Sequence, residues 1–166
     1  QAGVAEGTIF RYFPSKKDLL LSVANPVVVD SLKNIIADCQ DYSPQGMLEA
    51  VIHNRLEVVS KNIDLVKILI TESQFHPELK DKFVTEIVLP AASLMQAYFQ
   101  EQEQKGILRD IDTEISIRAL IGMVAVFVVW KYAFKGEKYV KFSDEEVVTN
   151  IVDIFLNGML KKPQVE

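Results

Sequence analysis

Three sets of side chains in this sequence have types and spacings that could do chemistry. The first opens the chain, in the run Glu6-Gly7-Thr8-Ile9-Phe10-Arg11-Tyr12-Phe13-Pro14-Ser15-Lys16-Lys17. A glycine at the start of a short helix lets backbone approach another molecule closely, and the free N–H groups there favour phosphate. Arg11 can donate two hydrogen bonds to a guanine edge, while hydroxyl and lysine side chains position a protein on a phosphate backbone without reading sequence. The second set is two carboxylate–histidine pairs at i,i+4, Glu49/His53 and Glu72/His76. Carboxylates and histidines inside a helical bundle can hold metals, but di-iron bundles use Glu-x-x-His at i,i+3, repeated, with two further glutamates. Neither pair has that spacing, and there are only two histidines. The third set is aromatic, Met and polar: His53, Arg55, Glu72, Phe75, Met95, Tyr98, Met123, Phe127 and Trp130. Pockets between bundle helices are mostly apolar with a few placed polar groups, the composition this set offers.

Catalytic chemistry finds no support. There is no Ser/His/Asp or Cys/His constellation, no phosphate-loop glycine pattern and no HExxH, so neither catalytic nor metal-ligating residues are assigned and no cofactor is implied. The single cysteine, Cys39, excludes an intrachain disulfide, fits a reducing cytosol and reads as a small core hydrophobe. A chain of 166 residues with 49% hydrophobic and 25% charged residues is an ordinary globular one, of one or two domains. Its net charge of −5 taken alone argues against a nucleic-acid binder. Positive charge is nevertheless concentrated at the start, where Arg11, Lys16 and Lys17 face only Glu6 and Asp18. No secretory signal opens the chain, and the longest apolar run, Ala119 to Trp130, falls short of the ~20 residues of a bilayer span. The expected location is the cytoplasm, without a membrane partner.

The elements that must position these groups are all helical. Ser15 is a good N-cap, with Asp18 in the first turn, for a helix carrying Leu19, Leu20, Val23, Leu32, Ile35 and Ile36. Pro26 lies inside it and predicts a kink near Ser22 or a break at Asn25. Ser43-Pro44 reads as a cap with proline at the first helical position, starting a helix over about 45–60. A break at Asn62 to Asp64 precedes a helix from Leu65 to about Phe75. Pro77 starts a long helix that Pro90 should bend and Lys105-Gly106 should end. After a loop from Ile107 to Asp112 comes an apolar helix over about 113–134, and Ser143 caps a last one over about 144–161. The apolar helix has Ile121, Val124, Val126, Val128 and Val129 around nearly its whole circumference, so it must be covered on every side. A second copy of the chain, packing its last two helices against these, would cover it. Ile121 and Val128, with Val148, Ile151, Phe155 and Met159, are the expected pairing surface; a central helix in a monomeric bundle is the alternative.

The opening residues carry a specific pattern: Ala2-Gly3-Val4, Gly7-Thr8-Ile9-Phe10, Tyr12-Phe13, Lys16 and Leu19-Leu20. In register, this resembles the second half of the helix-turn-helix of the tetracycline-repressor (TetR) family of transcriptional regulators. The detailed match covers about twenty residues; beyond it the agreement is architectural, including Gly106-Ile107-Leu108-Arg109 ahead of the penultimate helix. The resemblance implies an all-α, TetR-like fold in which residues 1–39 complete a DNA-binding domain with its connecting helix. Residues 40–166 would form the effector-binding and dimerisation domain. It implies that Glu6, Gly7 and Arg11 read bases, that Thr8, Tyr12 and Lys16 contact phosphates, and that Phe10 can touch a thymine methyl. Ile9 and Phe13 would pack this short helix onto its neighbours. It further implies double-stranded operator DNA, a small lipophilic effector and a second copy as partners, with repression released by the effector.

Three positions depart from the family pattern. Ala5 lacks the capping hydroxyl many members carry, at about 1 kcal/mol; Phe10 replaces the common Tyr; and Pro26 interrupts a helix that is usually continuous. The first two-thirds of the three-helix reader are not in this sequence, which implies roughly 40 further residues ahead of Gln1. Without them Ile9, Phe13 and Leu20 are expected to face water, and the listed residues alone are expected not to bind an operator. Two readings from different classes stand at this point: a DNA-binding regulator, and a helical dimer that binds a small molecule or metal without reading DNA.

Overall fold

The computed structural model describes residues 11–159, and among these every long element is a helix. Helix α1 runs over Lys16–Asp38, α2 over Pro44–Lys61 and α3 over Ile63–Phe75. Helix α4 is continuous through Pro77–Phe83, Val84–Val88 and Leu89–Gln104. Helix α5 spans Thr113–Ala133 and α6 spans Asp144–Met159.

Local chemistry sets these limits. Ser15 Oγ accepts from the Asp18 N–H at 3.2 Å, and Ser43 Oγ accepts from the Gly46 N–H at 3.2 Å. Ser143 and Glu146 form a reciprocal capping box: Oγ accepts from the Glu146 N–H at 3.1 Å, and the Glu146 carboxylate accepts from the Ser143 N–H at 2.9 Å. Asp112 caps α5 by accepting from the Ile115 N–H. At the end of α4, Gly106 adopts φ +71°, which a side chain would strain, and the following N–H of Ile107 returns to the Gln102 carbonyl at 3.0 Å.

The prolines do not break the helices, contrary to the sequence expectation at Asn25. Pro26 lacks the N–H that would bond the Ser22 carbonyl, and its ring would collide with that oxygen. The chain passes it by widening into one π turn over Pro26–Asp30, closed by the Ser31 N–H on the Pro26 carbonyl. A second π turn, Val84–Val88, lies just ahead of Pro90 and serves the same end. A third, Val129–Ala133, finishes α5. The expected break over Asn62 to Asp64 also shrinks to Asn62 alone, where α2 ends and α3 begins one residue later.

Two hydrophobic clusters are strung along α1. Its first turns contribute Leu21 and Ala24 to the smaller, with Leu69 of α3 and Leu79 and Ile87 of α4. Its last turns contribute Leu32, with Cys39 just beyond, to the larger, which joins α2, the second half of α4, α5 and α6. Burying each leucine of these clusters contributes about 2 kcal/mol. Leu20, expected to face water, is partly buried against the smaller cluster, and Phe13 is also partly buried.

Helix α6 corrects the predicted pairing surface. Val148, Ile151 and Phe155 are 2%, 2% and 7% exposed and face the core of their own chain, so they cannot line a surface between copies. Met159 ends α6, and its side chain lies outside the described residues. Val128 of α5 is likewise partly buried against the larger cluster. Ile121, in contrast, is exposed, as are Ile115, Val126 and Val129 on α5 and Ile154 on α6. By length and composition α1 and α5 are both apolar enough to cross a membrane; the sequence reading fell short for α5 because it stopped at Arg118. That arginine is held on the helix surface by Glu114 at 2.8 Å.

Candidate DNA interface and effector site

The DNA-reading end is described from Arg11 onward; Glu6, Gly7, Thr8 and Phe10 lie outside the described residues. Arg11 and Tyr12 form an exposed turn ahead of the Pro14-Ser15 bend, and Lys16 is exposed on the first turn of α1. These three are available to a ligand, while Lys17 and Asp18 on the same turn are engaged with α4. Lys17 pairs with Glu78, and Lys82 Nζ meets Asp18 Oδ1 at 2.6 Å. The start of α1 is thus clamped to the start of α4 by two ion pairs of opposite polarity.

These clamps respond to pH. The hydrogen bond from Lys82, then that from Ser15, holds the Asp18 carboxyl below the usual carboxylate range, and Lys17 does the same for Glu78. A depressed folded pKa gives stability that is present above the unfolded pKa, about 4, and is lost as pH falls through the folded value. Asp18 raises the Lys82 pKa, so that partner's contribution is complete at neutral pH and fades only above the ordinary lysine range. The thermal midpoint is therefore expected to drop on acidification from pH 5 to 3. The double variant Asp18→Asn/Glu78→Gln should show a shallower drop; an identical profile would mean that these pairs contribute nothing.

Further along α1, polar contacts gather at its π turn. Pro90 cannot donate to the Glu86 carbonyl, and the Asn25 side-chain amide supplies that missing donor at 3.2 Å. The residue before one helix proline therefore satisfies the carbonyl orphaned by another. From the other side, Arg55 of α2 donates to the Val28 carbonyl at 2.8 Å and to Ser31 Oγ at 2.6 Å, while its Nε reaches Asn54 Oδ1 at 3.1 Å. Its acceptors are all neutral, and burial alone lowers its pKa to about 10. Arg55, expected in a pocket, instead ties α2 to the irregular turn of α1.

The remaining pocket residues are not brought together. His53, Glu72 and Phe75 are exposed, Phe75 at 72%. Glu72 and His76 meet at 3.4 Å as a surface pair, and no group of three metal-ligating side chains occurs among the described residues. Phe127 and Trp130 line an open cleft of about 450 Å³ with Leu56, Phe142 and Val147, and with Lys131, Glu137 and Asp144 among its polar residues. The Phe127 and Phe142 rings meet edge to face at 5.6 Å, and Trp130 donates to the Val140 carbonyl at 3.3 Å. Gly136, which the sequence reading passed over as part of a polar loop, is buried beneath the indole; any Cβ there would overlap it. Met95 is buried in the larger cluster, against which Tyr98 and Met123 pack partly buried.

Comparison with known proteins fits this architecture. Residues 47–158 match the family model described as AefR-like transcriptional repressor, C-terminal domain, and residues 1–23 match that of bacterial regulatory proteins of the tetR family. The chain belongs to the TetR family of transcriptional regulators. Over 98% of its length it is 23% identical to a Fatty acid metabolism regulator protein of Bacillus subtilis (strain 168), covering 82% of that protein. Among solved structures it resembles a Mesorhizobium loti protein assigned to the TetR family, with a TM-score of 0.78, 19% identity, and 96% and 83% of the two chains covered. It also resembles the fatty acid degradation regulator FadR of Bacillus halodurans, with a TM-score of 0.75, 21% identity, and 95% and 83% covered. The protein is a DNA-binding transcriptional regulator, which removes the alternative of a helical dimer that does not read DNA.

Proposed function

We propose that this regulator is a homodimeric, cytoplasmic repressor released from its operator by a fatty acyl effector. The observation that carries the proposal is the double attachment of α1. Its first turns are clamped to α4 next to the DNA-reading end, and its last turns belong to the apolar core where an effector would enter. Between them lies a π turn held only by Asn25 and Arg55, a place where the helix can change direction at low cost. A ligand that separates the core helices shifts the last turns of α1 and, through them, the spacing of two recognition elements on one DNA face. The acyl class is supported by the apolar lining and by the printed names of the Bacillus subtilis and Bacillus halodurans relatives.

Pairing is supported by the uncovered face of α5. Ile115, Ile121, Val126 and Val129 are exposed together with Ile154 of α6, and a contiguous exposed apolar face of this kind marks an interaction surface. By family resemblance the DNA contacts fall to Glu6, Gly7, Thr8, Phe10, Arg11, Tyr12 and Lys16.

Anisotropy titration of the intact protein on a labelled fragment of its own promoter tests the reading. Palmitoyl-CoA is expected to release the DNA at micromolar concentration, and CoA alone is expected to leave it bound. Retention of the DNA at saturating thioester would remove the acyl-responsive repressor.

A further inference from the structure

Two buried side-chain hydroxyls among the described residues have no hydrogen-bond partner in the protein: Ser73 Oγ and Tyr98 Oη. They differ in what rotation can do for them. A helical serine can turn its hydroxyl onto the carbonyl four residues back, here Leu69, so Ser73 has a partner within its own helix. Tyr98 has no such option, because its oxygen lies at the end of a rigid ring, far from its own backbone. That ring is only partly buried, yet its hydroxyl is the end turned away from solvent. Leaving a buried hydroxyl unmet costs roughly 1–3 kcal/mol, and solvent lies within reach of the ring's other edge.

The surroundings define what would meet it. Tyr98 packs against the larger apolar cluster, with its ring centroid 5.9 Å from that of Phe99. The second half of α4, which carries it, lies against the last turns of α1. Desolvation, followed by the negative charge of Glu101, pushes the Tyr98 pKa up to about 12, so the group is a neutral donor at physiological pH. The same two features disfavour an anion at this point: an apolar environment penalises its charge, and Glu101 repels it. An uncharged carbonyl meets neither penalty.

We infer that Tyr98 is the polar anchor of the effector site, donating a hydrogen bond to the uncharged carbonyl oxygen of an acyl thioester whose chain enters the apolar core beside α1. This rests on the acyl-effector reading above and sharpens it: the thioester, not the free fatty acid, is the recognised form. It also places the ligand where α4 meets the end of α1, so binding bears directly on the connecting helix.

Isothermal titration of palmitoyl-CoA, palmitate and CoA into the intact protein and its Tyr98→Phe variant tests this. Phenylalanine keeps the ring and removes only the oxygen. The variant is expected to bind palmitoyl-CoA about tenfold more weakly, with a thermal midpoint without ligand equal to or above that of the parent. Palmitate is expected to bind the parent more weakly than the thioester. Equal thioester affinity in parent and variant would overturn the anchor while leaving the acyl effector standing. Palmitate binding as tightly as the thioester, or CoA alone binding as tightly, would overturn it as well. Failure of the parent to bind palmitoyl-CoA would remove both the anchor and the acyl reading.

Discussion

Alanine at position 99 is expected to lower folding stability by about 3–5 kcal/mol, the usual range for emptying a buried phenylalanine site. Phe99 is 1% exposed and holds its place between two other rings, with centroids 5.9 Å from Tyr98 and 5.8 Å from Phe155. It therefore joins α4 to α6 at the centre of the larger cluster, where neighbours fixed by their own helices have little freedom to collapse into the space. Part of the loss is the removed apolar area, and part is the cavity left behind. Phe75→Ala supplies the contrast: that ring is 72% exposed, and its loss should change stability by no more than about 0.5 kcal/mol. Urea unfolding followed by circular dichroism, at one protein concentration because pairing adds to apparent stability, measures both. A Phe99→Ala cost below about 1 kcal/mol would mean that the rings do not interlock as described. The variant should also lose the Tyr98 geometry, so reduced effector binding in it would not by itself implicate the Tyr98 hydroxyl.

Much of this architecture is legible in the sequence because caps and periodicity are local. Ser15, Ser43 and Ser143 each announce a helix start and each accept the expected backbone hydrogen bond. What is not legible is how a helix treats an internal proline. Sequence gives the lost donor at Pro26 and the steric conflict with Ser22, but whether the chain breaks or widens depends on neighbours. Here Asn25, Arg55 and the second π turn support the wider form. The predicted pairing surface failed on α6 for a related reason. Val148, Ile151 and Phe155 do form one buried stripe, but periodicity says only that a face is covered, not whether the same chain or another covers it. Gly136 carried no signal at all, since its need to be glycine arises from Trp130, six residues away and brought over it by the turn at the end of α5. Arg55 was recognised as a notable polar group, but only tertiary placement turns it toward α1 instead of an effector.

At the opposite end of the molecule, Arg11→Ala is expected to weaken operator binding by ten- to a hundredfold per half-site. A bidentate arginine–guanine contact is worth about 1–3 kcal/mol of discrimination, and each 1.4 kcal/mol is tenfold. Arg11 lies exposed in the turn just ahead of the capped start of α1, so its replacement removes no buried contact. Any loss of DNA binding would accordingly come without a loss of folding stability. The mode of the loss distinguishes a base reader from a general cation. If Arg11 reads a guanine, its removal flattens the preference at one base pair in each half-site and leaves the other positions as selective as before. Lys16→Ala should instead weaken binding to all sequences alike and lower the salt dependence by about one phosphate contact per protomer. Anisotropy titrations of the intact protein on the promoter fragment, and on fragments with single base pairs changed, separate the two at a fixed salt concentration. Unchanged affinity and unchanged base preference in Arg11→Ala would take Arg11 out of the reader. Sequence recognition would then rest with the remaining base-reading candidates, Glu6 and the backbone at Gly7.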